Sequence, residues 1–341
     1  MKYKIVTYGT MIGANPSVEK EVITKGGYND FELVHISGNN DKAFFKAAED
    51  ADAVCAWVYL DTEEKMKRLK KCQIIVAPAI GVDRFNLDVA TELGICIANV
   101  PDYCIEEVAF HTIAMVFDCC RKITFLDRKI NEGWWSSKSP YMMYRMKGRT
   151  YGLMSFGNIP QRIAQMLKPF GLNIIAYDPF VKNEVFETAG VERVATIDEL
   201  FSRSNYVSVH TPHLPETHHI ISENQLNIMP EGAIIVVTGR GGVVDENALK
   251  DALESGKLSC AGVDVIEDET ENKSVLMEVE HVVMTSHVAY SSEDANTDLK
   301  RKAFEQIVDV VRYRKAPHNL VNKSVLGKAR FENRKEAVHE L

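Results

Sequence analysis

GLMSFGNIPQRIAQMLKPFGLNIIAYDP, residues 152–179, is the stretch on which the fold prediction depends. An apolar run leads to Gly157, a segment with helical spacing follows, and a second apolar run, 172–177, ends at Asp178. The apolar residues on one face of the helical segment are Ile159, Ile163, Met166 and Leu167. Strand, glycine turn, helix and strand in this order predict a βαβ unit that binds a dinucleotide. Asp178 stands roughly twenty positions after Gly157, where such a unit places the carboxylate that binds the adenosine ribose, and this favours NAD over its 2′-phosphorylated relative.

The glycine fingerprint of that unit is incomplete. The fingerprint has glycine at the first, third and sixth of six positions, which in this chain are Ser155, Phe156, Gly157, Asn158, Ile159 and Pro160. Gly157 is the position at which the backbone approaches the pyrophosphate, because a Cβ there would take up the space of the ligand. Pro160 is tolerated in a first helical turn but removes one N–H donor. The motif by itself leaves two interpretations open, a cofactor-binding turn and an ordinary βαβ turn.

The composition is that of a globular protein. A chain of 341 residues with 45% hydrophobic and 26% charged residues can bury a large core and usually folds into two domains. The formal charge of −8 argues against a dedicated nucleic-acid surface. The seven cysteines include no CxxC pair, which predicts reduced thiols in a cytoplasmic protein. No apolar run has the length of a signal peptide or a membrane span, so neither a membrane nor a nucleic acid is expected as a partner.

Strands alternate with helices along both halves of the chain. In the first hundred residues the candidate strands are KIVTY, FELVHI, AVCAWVY and QIIVAPAI, and helical patterns separate them. In the second half the βαβ unit is followed by YVSVH, GAIIVVTG, LSCAGVDV and HVVMTS. Such alternation predicts parallel sheets with helices on both faces. The fold prediction is therefore α/β, with two Rossmann-like or flavodoxin-like domains.

Helices mark the limits of these domains. A helix is expected from Ile105 to about Ile123, and another, from about Glu293 to Arg314, leads back toward the first domain. The shorter helices of the second half are expected near 196–202, 222–229 and 245–255. The predicted organisation is a first domain at 1–100 and 291–325, a second domain with the βαβ unit at 101–290, and a polar, loosely held tail at 326–341.

A segment rich in aromatic residues and methionine follows the first long helix. It reads DRKINEGWWSSKSPYMMYRMKG and begins at Asp127. Segments of this composition commonly cover a partner surface, so residues 127–147 are a candidate dimer arm. A satellite hydrophobic cluster within one subunit is the other interpretation.

Three strand ends in the second half carry residues suited to chemistry. Arg240 follows one strand, Asp264 and then Glu269 follow the next, and His287 follows the last. Ligands of open α/β sheets bind outside the carboxyl ends of the strands, so these side chains are expected to converge on one crevice. There a guanidinium can grip a substrate carboxylate, an imidazole can exchange a proton with the carbinol oxygen, and a carboxylate can hold the imidazolium. This set suits the chemistry of a 2-oxo acid.

Each of these residues also has an ordinary structural interpretation. A strand-end Arg often forms a surface ion pair, a lone His is often structural, and an acidic cluster is often a solvated loop. Four further histidines, His210, His213, His218 and His219, crowd one loop. Their spacing matches no standard metal site, so no metal is expected.

Several long segments together resemble a known family. They are IGVDRFNLDVATELGICIANVPDYCIEEVAFHT, LKPFGLNIIAYDP, HTPHLPETHHII, GRGGVVDENALKDALESGKLSCAGVDVIEDE and TSHVAYS, in this order. Over about residues 50–322 the chain resembles the D-isomer-specific 2-hydroxyacid dehydrogenases, and within them the group that includes the C-terminal-binding proteins and phosphoglycerate dehydrogenase. The resemblance implies a cofactor domain inserted into a catalytic domain, and a homodimer joined through the cofactor domains.

The resemblance also implies roles for particular residues. Arg240 matches the substrate-binding arginine, Glu269 the carboxylate partner, and His287 the acid/base histidine. The residues expected to bind NAD are Ile80, Gly157, Asn158, Ile159, Asp178, Thr211, Thr238, Gly239, Arg240, Asp264, His287 and Tyr290. Those expected to bind the substrate are Ala79, Ile80, Gly81, Arg240 and His287. Tyr290 and a group of methionines, Met142, Met143 and Met146, are candidates for lining an apolar pocket, and equally for core or interface positions.

The chain also departs from the family pattern. Ala77, Pro78 and Ala79 stand where members usually have Arg, any residue and Gly, in a loop whose amides help to hold the substrate carboxylate. The other departures are Gly239 for Ala, Thr270 for Pro and Ser286 for Pro. They affect the expected pocket and leave the catalytic trio intact.

Two hypotheses of different classes follow. The first is an NAD-dependent enzyme that interconverts a 2-oxo acid and a D-2-hydroxy acid. The second is a non-catalytic binding protein that dimerises in response to NAD(H), which the eroded glycine turn favours and the intact trio disfavours. Size-exclusion elution with and without NADH, together with a turnover assay, discriminates between them.

Overall fold

The chain forms two compact α/β units. The computed structural model describes residues 2–9, 16–38, 40–139 and 141–333. One unit comprises Met1–Tyr103 with Ser292–Leu341, and the other comprises Cys104–Ser291. The sequence places the domain boundaries after residues 100 and 290. Each unit is built on a parallel sheet, so the predicted fold class is confirmed.

The first unit has a five-stranded sheet. Its strands are β1 (Tyr3–Tyr8), β2 (Phe31–Ile36), β3 (Ala53–Ala56), β4 (Ile74–Val76) and β5 (Cys96–Ala98). Its first four helices are α1 (Ser17–Lys25), α2 (Asp41–Ala48), α3 (Glu63–Lys67) and α4 (Leu87–Glu92). The strand order, β2-β1-β3-β4-β5, is that of a flavodoxin-like sheet. Every residue of β3, β4 and β5 is buried, because helices cover both faces of a parallel sheet.

The second unit has a seven-stranded parallel sheet. Its helices are α5 (Ile105–Arg121), α6 (Ile123–Asn131), α7 (Asn158–Leu167), α8 (Asn183–Ala189), α9 (Ile197–Arg203), α10 (Glu223–Ile228) and α11 (Glu246–Glu254). Its strands are β6 (Thr150–Met154), β7 (Asn173–Tyr177), β8 (Glu192–Arg193), β9 (Tyr206–Val209), β10 (Ala233–Val237), β11 (Leu258–Val263) and β12 (Val282–Met284). In the order β12-β11-β10-β9-β6-β7-β8 the direction of winding reverses between β6 and β9. Open α/β sheets bind ligands at such a reversal.

The core of the second unit lies on both faces of this sheet. Along β6, Leu153 packs on the side of α5 and α7, and Met154 packs on the side of α9 to α11. Successive side chains of a strand point to opposite faces, so one apolar run supplies both layers. On its own side α7 buries Ile163, Ala164 and Leu167, as the helical spacing predicts.

Side-chain caps fix where several helices begin. A polar oxygen accepts a hydrogen bond from an amide in the first turn of α2, α3, α4, α9 and α11, which satisfies one of the amides that a helix N-terminus leaves without an intrahelical partner. The capping residues are Asn40, Thr62, Asn86, Thr196 and Asp245.

The predicted helix from Ile105 to about Ile123 is α5, which ends two residues earlier than predicted. It ends at Arg121 because Lys122 adopts a left-handed conformation, with φ of +56°. The chain then turns into α6, and the carboxylate of Asp118 accepts a hydrogen bond from the amide of Thr124 (2.8 Å) across the break. No helix in the described parts of the chain is long and apolar enough to cross a lipid bilayer.

The candidate arm divides into buried and exposed parts. Residues 127–131 belong to α6, and the described residues of 132–147 lie in no helix or strand. Tyr141 and Met146 pack against the core of the second unit. In contrast, Trp135 is 88% exposed and Met142 is 76% exposed. The segment thus holds a small internal cluster as well as a free apolar surface.

The chain returns to the first unit through α12 (Glu293–Val311), which is followed by α13 (Arg330–Asn333). The long helix ends three residues before the predicted Arg314, and it packs against α1, β3 and β4. Beyond it, the side chain of Asn322 accepts a hydrogen bond from the Ile97 amide (2.8 Å) and donates to the Thr91 hydroxyl (3.0 Å) and the Ile95 carbonyl (3.0 Å).

The prediction of a loosely held tail from residue 326 is wrong for residues 326–333. Arg330 donates hydrogen bonds to the carbonyl oxygens of Leu69 (2.8 Å), Leu93 (2.8 Å) and Cys72 (3.0 Å). Phe331 is also buried. The polar composition predicted a loose tail, but the buried Phe331 ring and the Arg330 guanidinium attach this stretch to the first unit. The remainder of the predicted tail, 334–341, lies outside the described residues.

Candidate active site

The glycine turn joins β6 to α7 at the sheet reversal. Ser155, at the first position of the fingerprint, has a φ of +81°. A non-glycine residue in this region costs about 1–2 kcal/mol, which is why the fingerprint prefers glycine there. The Ser155 hydroxyl lies 3.0 Å from the Thr211 hydroxyl, beyond the end of β9, and its amide donates to the Tyr177 carbonyl (2.9 Å). These bonds hold the turn in the shape that the fingerprint needs.

Gly157 stands immediately before α7, with φ of −74° and ψ of −162°. This backbone is open to any residue, and a Cβ built at Gly157 would meet no atom within 4 Å. Neither backbone conformation nor packing within the chain therefore requires glycine here. What remains is open space against the backbone at a helix N-terminus, where free N–H groups and the helix dipole bind phosphate. The residues thus fit the pyrophosphate of a dinucleotide.

Pro160 does not disturb this helix. Proline occupies the third position of α7 and is buried, and Gln161 donates to the Gly157 carbonyl (3.1 Å), so the first turn is regular. Asn158, the first residue of α7, is exposed. Ile159, which was also expected to bind NAD, packs against the core of the unit.

Asp178 lies beside the turn, as predicted. One carboxylate oxygen accepts from the Phe156 amide (2.9 Å), and the other accepts from the amides of Phe180 (2.8 Å) and Val181 (3.1 Å). These bonds fix the carboxylate at the end of β7, where its remaining lone pairs can accept from ribose hydroxyls. The Arg193 guanidinium lies close by, since it donates to the Asp178 carbonyl (2.8 Å).

Thr238 follows β10 and, like Thr211, is buried at the same edge of the sheet. The Thr238 hydroxyl lies 3.0 Å from that of Thr112 and 3.4 Å from Nδ1 of His210. The other ring nitrogen of His210 lies 2.8 Å from the Ser208 hydroxyl. Burial lowers the pKa of His210 to about 3, so this imidazole is neutral at physiological pH.

Two glycines bring the loop of Arg240 against its neighbours. A Cβ on Gly241 would lie 1.8 Å from the Ile266 carbonyl oxygen, so only glycine permits this close approach. A Cβ on Gly239 would lie 3.0 Å from backbone atoms of His210 and Thr211. The glycine that replaces the usual alanine therefore fits the narrow space here. Arg240 itself is half-buried and donates to the Gly239 carbonyl (2.8 Å).

Asp264 organises the loop that carries His287. It is 2% exposed, and its carboxylate accepts from the Thr285 hydroxyl (2.6 Å) and from the amides of Val288 (3.0 Å) and Ala289 (3.1 Å). Its backbone carbonyl accepts from the His287 amide (2.7 Å). The predicted contact of Asp264 with the cofactor stays a prediction.

His287 and Glu269 form the predicted pair. Nδ1 of His287 lies 2.8 and 3.0 Å from the two carboxylate oxygens of Glu269, and the side chains are 39% and 46% exposed. A carboxylate at Nδ1 fixes the tautomer and the ring orientation, which leaves Nε2 to act on a ligand. The φ of His287 is +54°, a conformation that the bonds to Asp264 hold in place. The Tyr290 ring meets the imidazole edge-on at 6.2 Å, and burial raises the pKa of Tyr290.

Two partners in this network were not predicted. Nε2 of His111, on α5, lies 3.0 Å from the Thr285 hydroxyl, which donates to Asp264. Both residues lie within segments that resemble the family, but nothing in their spacing shows that they meet, because 174 positions separate them.

Ala79, Ile80 and Gly81 belong to the first unit. The Val100 amide donates to the Ala79 carbonyl (3.0 Å), and the Asn99 side chain donates to the Ile80 carbonyl (2.6 Å). Within the described residues, the amides of Ile80 and Gly81 meet no acceptor. The loop is thus held through its carbonyl oxygens, and the substrate-binding role of its amides stays a prediction.

Comparison with known proteins identifies the family. Residues 113–289 match the family described as "D-isomer specific 2-hydroxyacid dehydrogenase, NAD binding domain". The chain is 33% identical over 270 residues to glyoxylate reductase of Thermococcus litoralis, which covers 77% of this chain and 81% of that protein. This chain therefore belongs to the D-isomer-specific 2-hydroxyacid dehydrogenase family, as its motifs predicted, and its second unit is an NAD-binding domain.

Other relatives agree with this assignment. The chain is 36% identical over 261 residues to D-3-phosphoglycerate dehydrogenase of Methanocaldococcus jannaschii, a match that covers 76% of this chain and 49% of that protein. The chain thus spans about half the length of that relative. Apo D-lactate dehydrogenase of Escherichia coli superimposes with a TM-score of 0.75 at 28% identity, over 93% of this chain and 99% of that one.

Proposed function

We propose that this protein is an NAD-dependent oxidoreductase that interconverts a 2-oxo acid and a D-2-hydroxy acid. The observation that carries the proposal is the His287–Glu269 pair at 2.8 Å, on the same edge of one sheet as the glycine turn, Asp178 and Arg240. Relatives named glyoxylate reductase and D-3-phosphoglycerate dehydrogenase support the reaction class.

Each residue has a distinct part in the reaction. Bound NADH supplies the hydride. In the direction of reduction, the doubly protonated imidazole of His287 donates its Nε2 proton to the substrate oxygen, and in the reverse direction neutral Nε2 accepts that proton. Glu269 holds the ring at Nδ1 and neutralises its charge. Arg240 pairs with the substrate carboxylate and orients the carbonyl carbon for reaction.

Substitution of the acid/base residue tests this function. His287→Gln keeps a hydrogen-bonding side chain but cannot transfer a proton, so kcat/KM should fall by about 10²–10⁴. Arg240→Ala should also lower kcat/KM strongly, through loss of a charged contact to the substrate. The assay follows NADH oxidation with a panel of 2-oxo acids that includes glyoxylate and pyruvate. Near-normal turnover by folded His287→Gln would overturn the assigned role.

We infer that the protein forms a homodimer through its exposed apolar arm. Trp135 and Met142 present large apolar surfaces, and such surfaces mark association sites when they are contiguous. Trp135→Ser combined with Met142→Ser should shift the protein toward the monomer in sedimentation experiments. Phe180→Ser is the matched control, since Phe180 is 92% exposed but lies outside the arm. An unchanged mass for the double variant would count against the arm.

A non-catalytic, NAD(H)-responsive binding protein is the second candidate function. Ser155 and Pro160 favour it, because they replace two glycines of the usual phosphate-binding fingerprint. Fluorescence titration with NADH, sedimentation with and without NADH, and the turnover assay separate the two candidates. A dimer that forms only with NADH and reduces no 2-oxo acid would support the binding protein.

A further inference from the structure

A group of metal-binding side chains lies outside the site described above. His218 and His219 stand in the loop after β9, and Glu267 stands in the loop after β11. One ligand atom from each of these residues lies within 4.8 Å of the others. Nε2 of His219 is 3.1 and 3.2 Å from the two oxygens of Glu267. No spacing within the histidine loop shows this group, because Glu267 lies 48 positions from His219.

A third histidine extends the group. Nε2 of His213 lies 3.1 Å from Nδ1 of His218. Metal–nitrogen bonds of about 2.0–2.1 Å in a tetrahedral zinc site place neighbouring donor atoms roughly 3.3 Å apart. The separations of 3.1 Å within the His213–His218 pair and within the His219–Glu267 pair are close to this value, and the ligand atoms of His218, His219 and Glu267 lie within 4.8 Å of one another. Binding of a divalent cation would replace the hydrogen bond between the His213 and His218 rings.

The backbone holds these ligands in place. The His219 amide donates to the Gly242 carbonyl (2.8 Å), and the ring of His213 lies against Gly242, where a Cβ would come within 3.0 Å of Nε2. Nδ1 of His219 faces the Asp245 carboxylate at 3.9 Å, on the opposite side of the ring from Glu267. A carboxylate on the far nitrogen is the usual second partner of a metal-binding histidine.

We propose that His218, His219 and Glu267, with His213 as the fourth donor, form a Zn²⁺ site. Three imidazoles and a carboxylate are donors that zinc accepts in tetrahedral geometry. Zinc bound there links the loop after β9 to the loop after β11, and Glu267 stands only two residues before Glu269. The proposed site departs from the expectation of no metal, and it does not depend on the proposed enzymatic function.

Calorimetry with ZnCl₂ on the full chain, after removal of metals with EDTA, tests this site at pH 7.5. The expected result is saturable binding of one Zn²⁺ per chain, and a Tm that rises with the zinc concentration. His218→Ala and Glu267→Gln should each weaken binding at least tenfold. His318→Ala is the matched control, since His318 is exposed and lies in the other unit. Its affinity should equal that of the wild type.

Cobalt gives an independent readout of geometry. Co²⁺ bound by three imidazoles and a carboxylate should show visible absorption of tetrahedral intensity, and His219→Gln should abolish it. Binding should also weaken at acidic pH, because metal ligands must be deprotonated to bind the ion. Absence of saturable zinc binding, or binding that His218→Ala and Glu267→Gln leave unchanged in folded protein, would overturn the proposal.

Discussion

Gly157→Ala separates the requirements of the ligand from those of the fold. A Cβ at this position meets no protein atom within 4 Å, and φ of −74° is accessible to alanine. Alanine restricts the unfolded chain more than glycine does, which should stabilise the folded protein by about 0.4–1 kcal/mol. Alanine is also a poorer N-cap than glycine, which should destabilise the protein by a similar amount. The two effects nearly cancel, so Tm should change by less than about 4 °C.

Affinity for NADH should change much more than stability. The added methyl group occupies the space in which the pyrophosphate contacts the backbone, and overpacking of a tight contact costs about 1–3 kcal/mol. This corresponds to NADH binding that is roughly 5- to 150-fold weaker. Fluorescence titration with NADH measures the affinity, and thermal unfolding without ligand measures the stability.

Gly152→Ala is the contrasting control. A Cβ at Gly152, in β6, would lie 2.3 Å from the Ser204 hydroxyl oxygen and 3.2 Å from a Leu200 methyl carbon. This variant should lose about 1–3 kcal/mol of stability, while its folded fraction binds NADH normally. Wild-type NADH affinity in Gly157→Ala would refute the placement of the pyrophosphate. A large loss of stability in Gly157→Ala would instead show that the space beside it is not open.

Three further predictions concern cofactor preference, loop packing and acid stability. Asp178→Ala should reduce the preference for NADH over NADPH about tenfold or more, because a negative charge is lost while Arg193 remains; an unchanged ratio in paired titrations would contradict this. Gly241→Ala should cost about 3 kcal/mol or more in urea unfolding and lower kcat/KM, because its Cβ would lie 1.8 Å from a carbonyl oxygen. Burial lowers the pKa of His210 to about 3, so protonation of the unfolded chain should remove about 2 kcal/mol of stability between pH 6.5 and pH 5. Well above pH 6.5 His210 is neutral in both states and protonation costs no stability, and the cost grows as the pH falls toward 3. His210→Asn lacks this cost, so its stability should fall by about 2 kcal/mol less between pH 6.5 and pH 5.

The class of fold was predictable because it depends on local periodicity. Apolar runs separated by helical patterns define a parallel sheet whichever neighbours the strands later acquire. Ends of elements were less predictable. Nothing local in the run from Ile105 to Ile123 shows that Lys122 adopts φ of +56°, since the helical spacing continues across it. This one backbone conformation ends α5 at Arg121, two residues before the predicted end.

The site was predictable to the extent that strand ends predict it. Parallel strands bring their carboxyl ends to one edge, so residues after β10, β11 and β12 were expected to lie together. His287 and Glu269 do lie together, with Nδ1 of His287 2.8 Å from the Glu269 carboxylate although 18 positions of chain separate the two residues, and the convergence of Arg240 on this pair stays a prediction. Residues whose partners are set by packing were not predictable. The sequence alone places Arg330 in a polar tail, and only the structure shows that its guanidinium donates to backbone carbonyl oxygens of the first unit.

The chain departs from the glycine fingerprint at Ser155 and Pro160 and keeps glycine at position 157. With Ser155 at φ of +81°, the turn keeps the usual shape at a cost of about 1–2 kcal/mol, which the hydroxyl contact to Thr211 offsets in part. Gly157, where the ligand needs space, is retained. The chain has therefore lost glycine at the two fingerprint positions where its own bonds and packing maintain the turn, and has kept it at the position where only a ligand requires it. An unused turn would have no physical reason to preserve that distinction, which favours a working cofactor site.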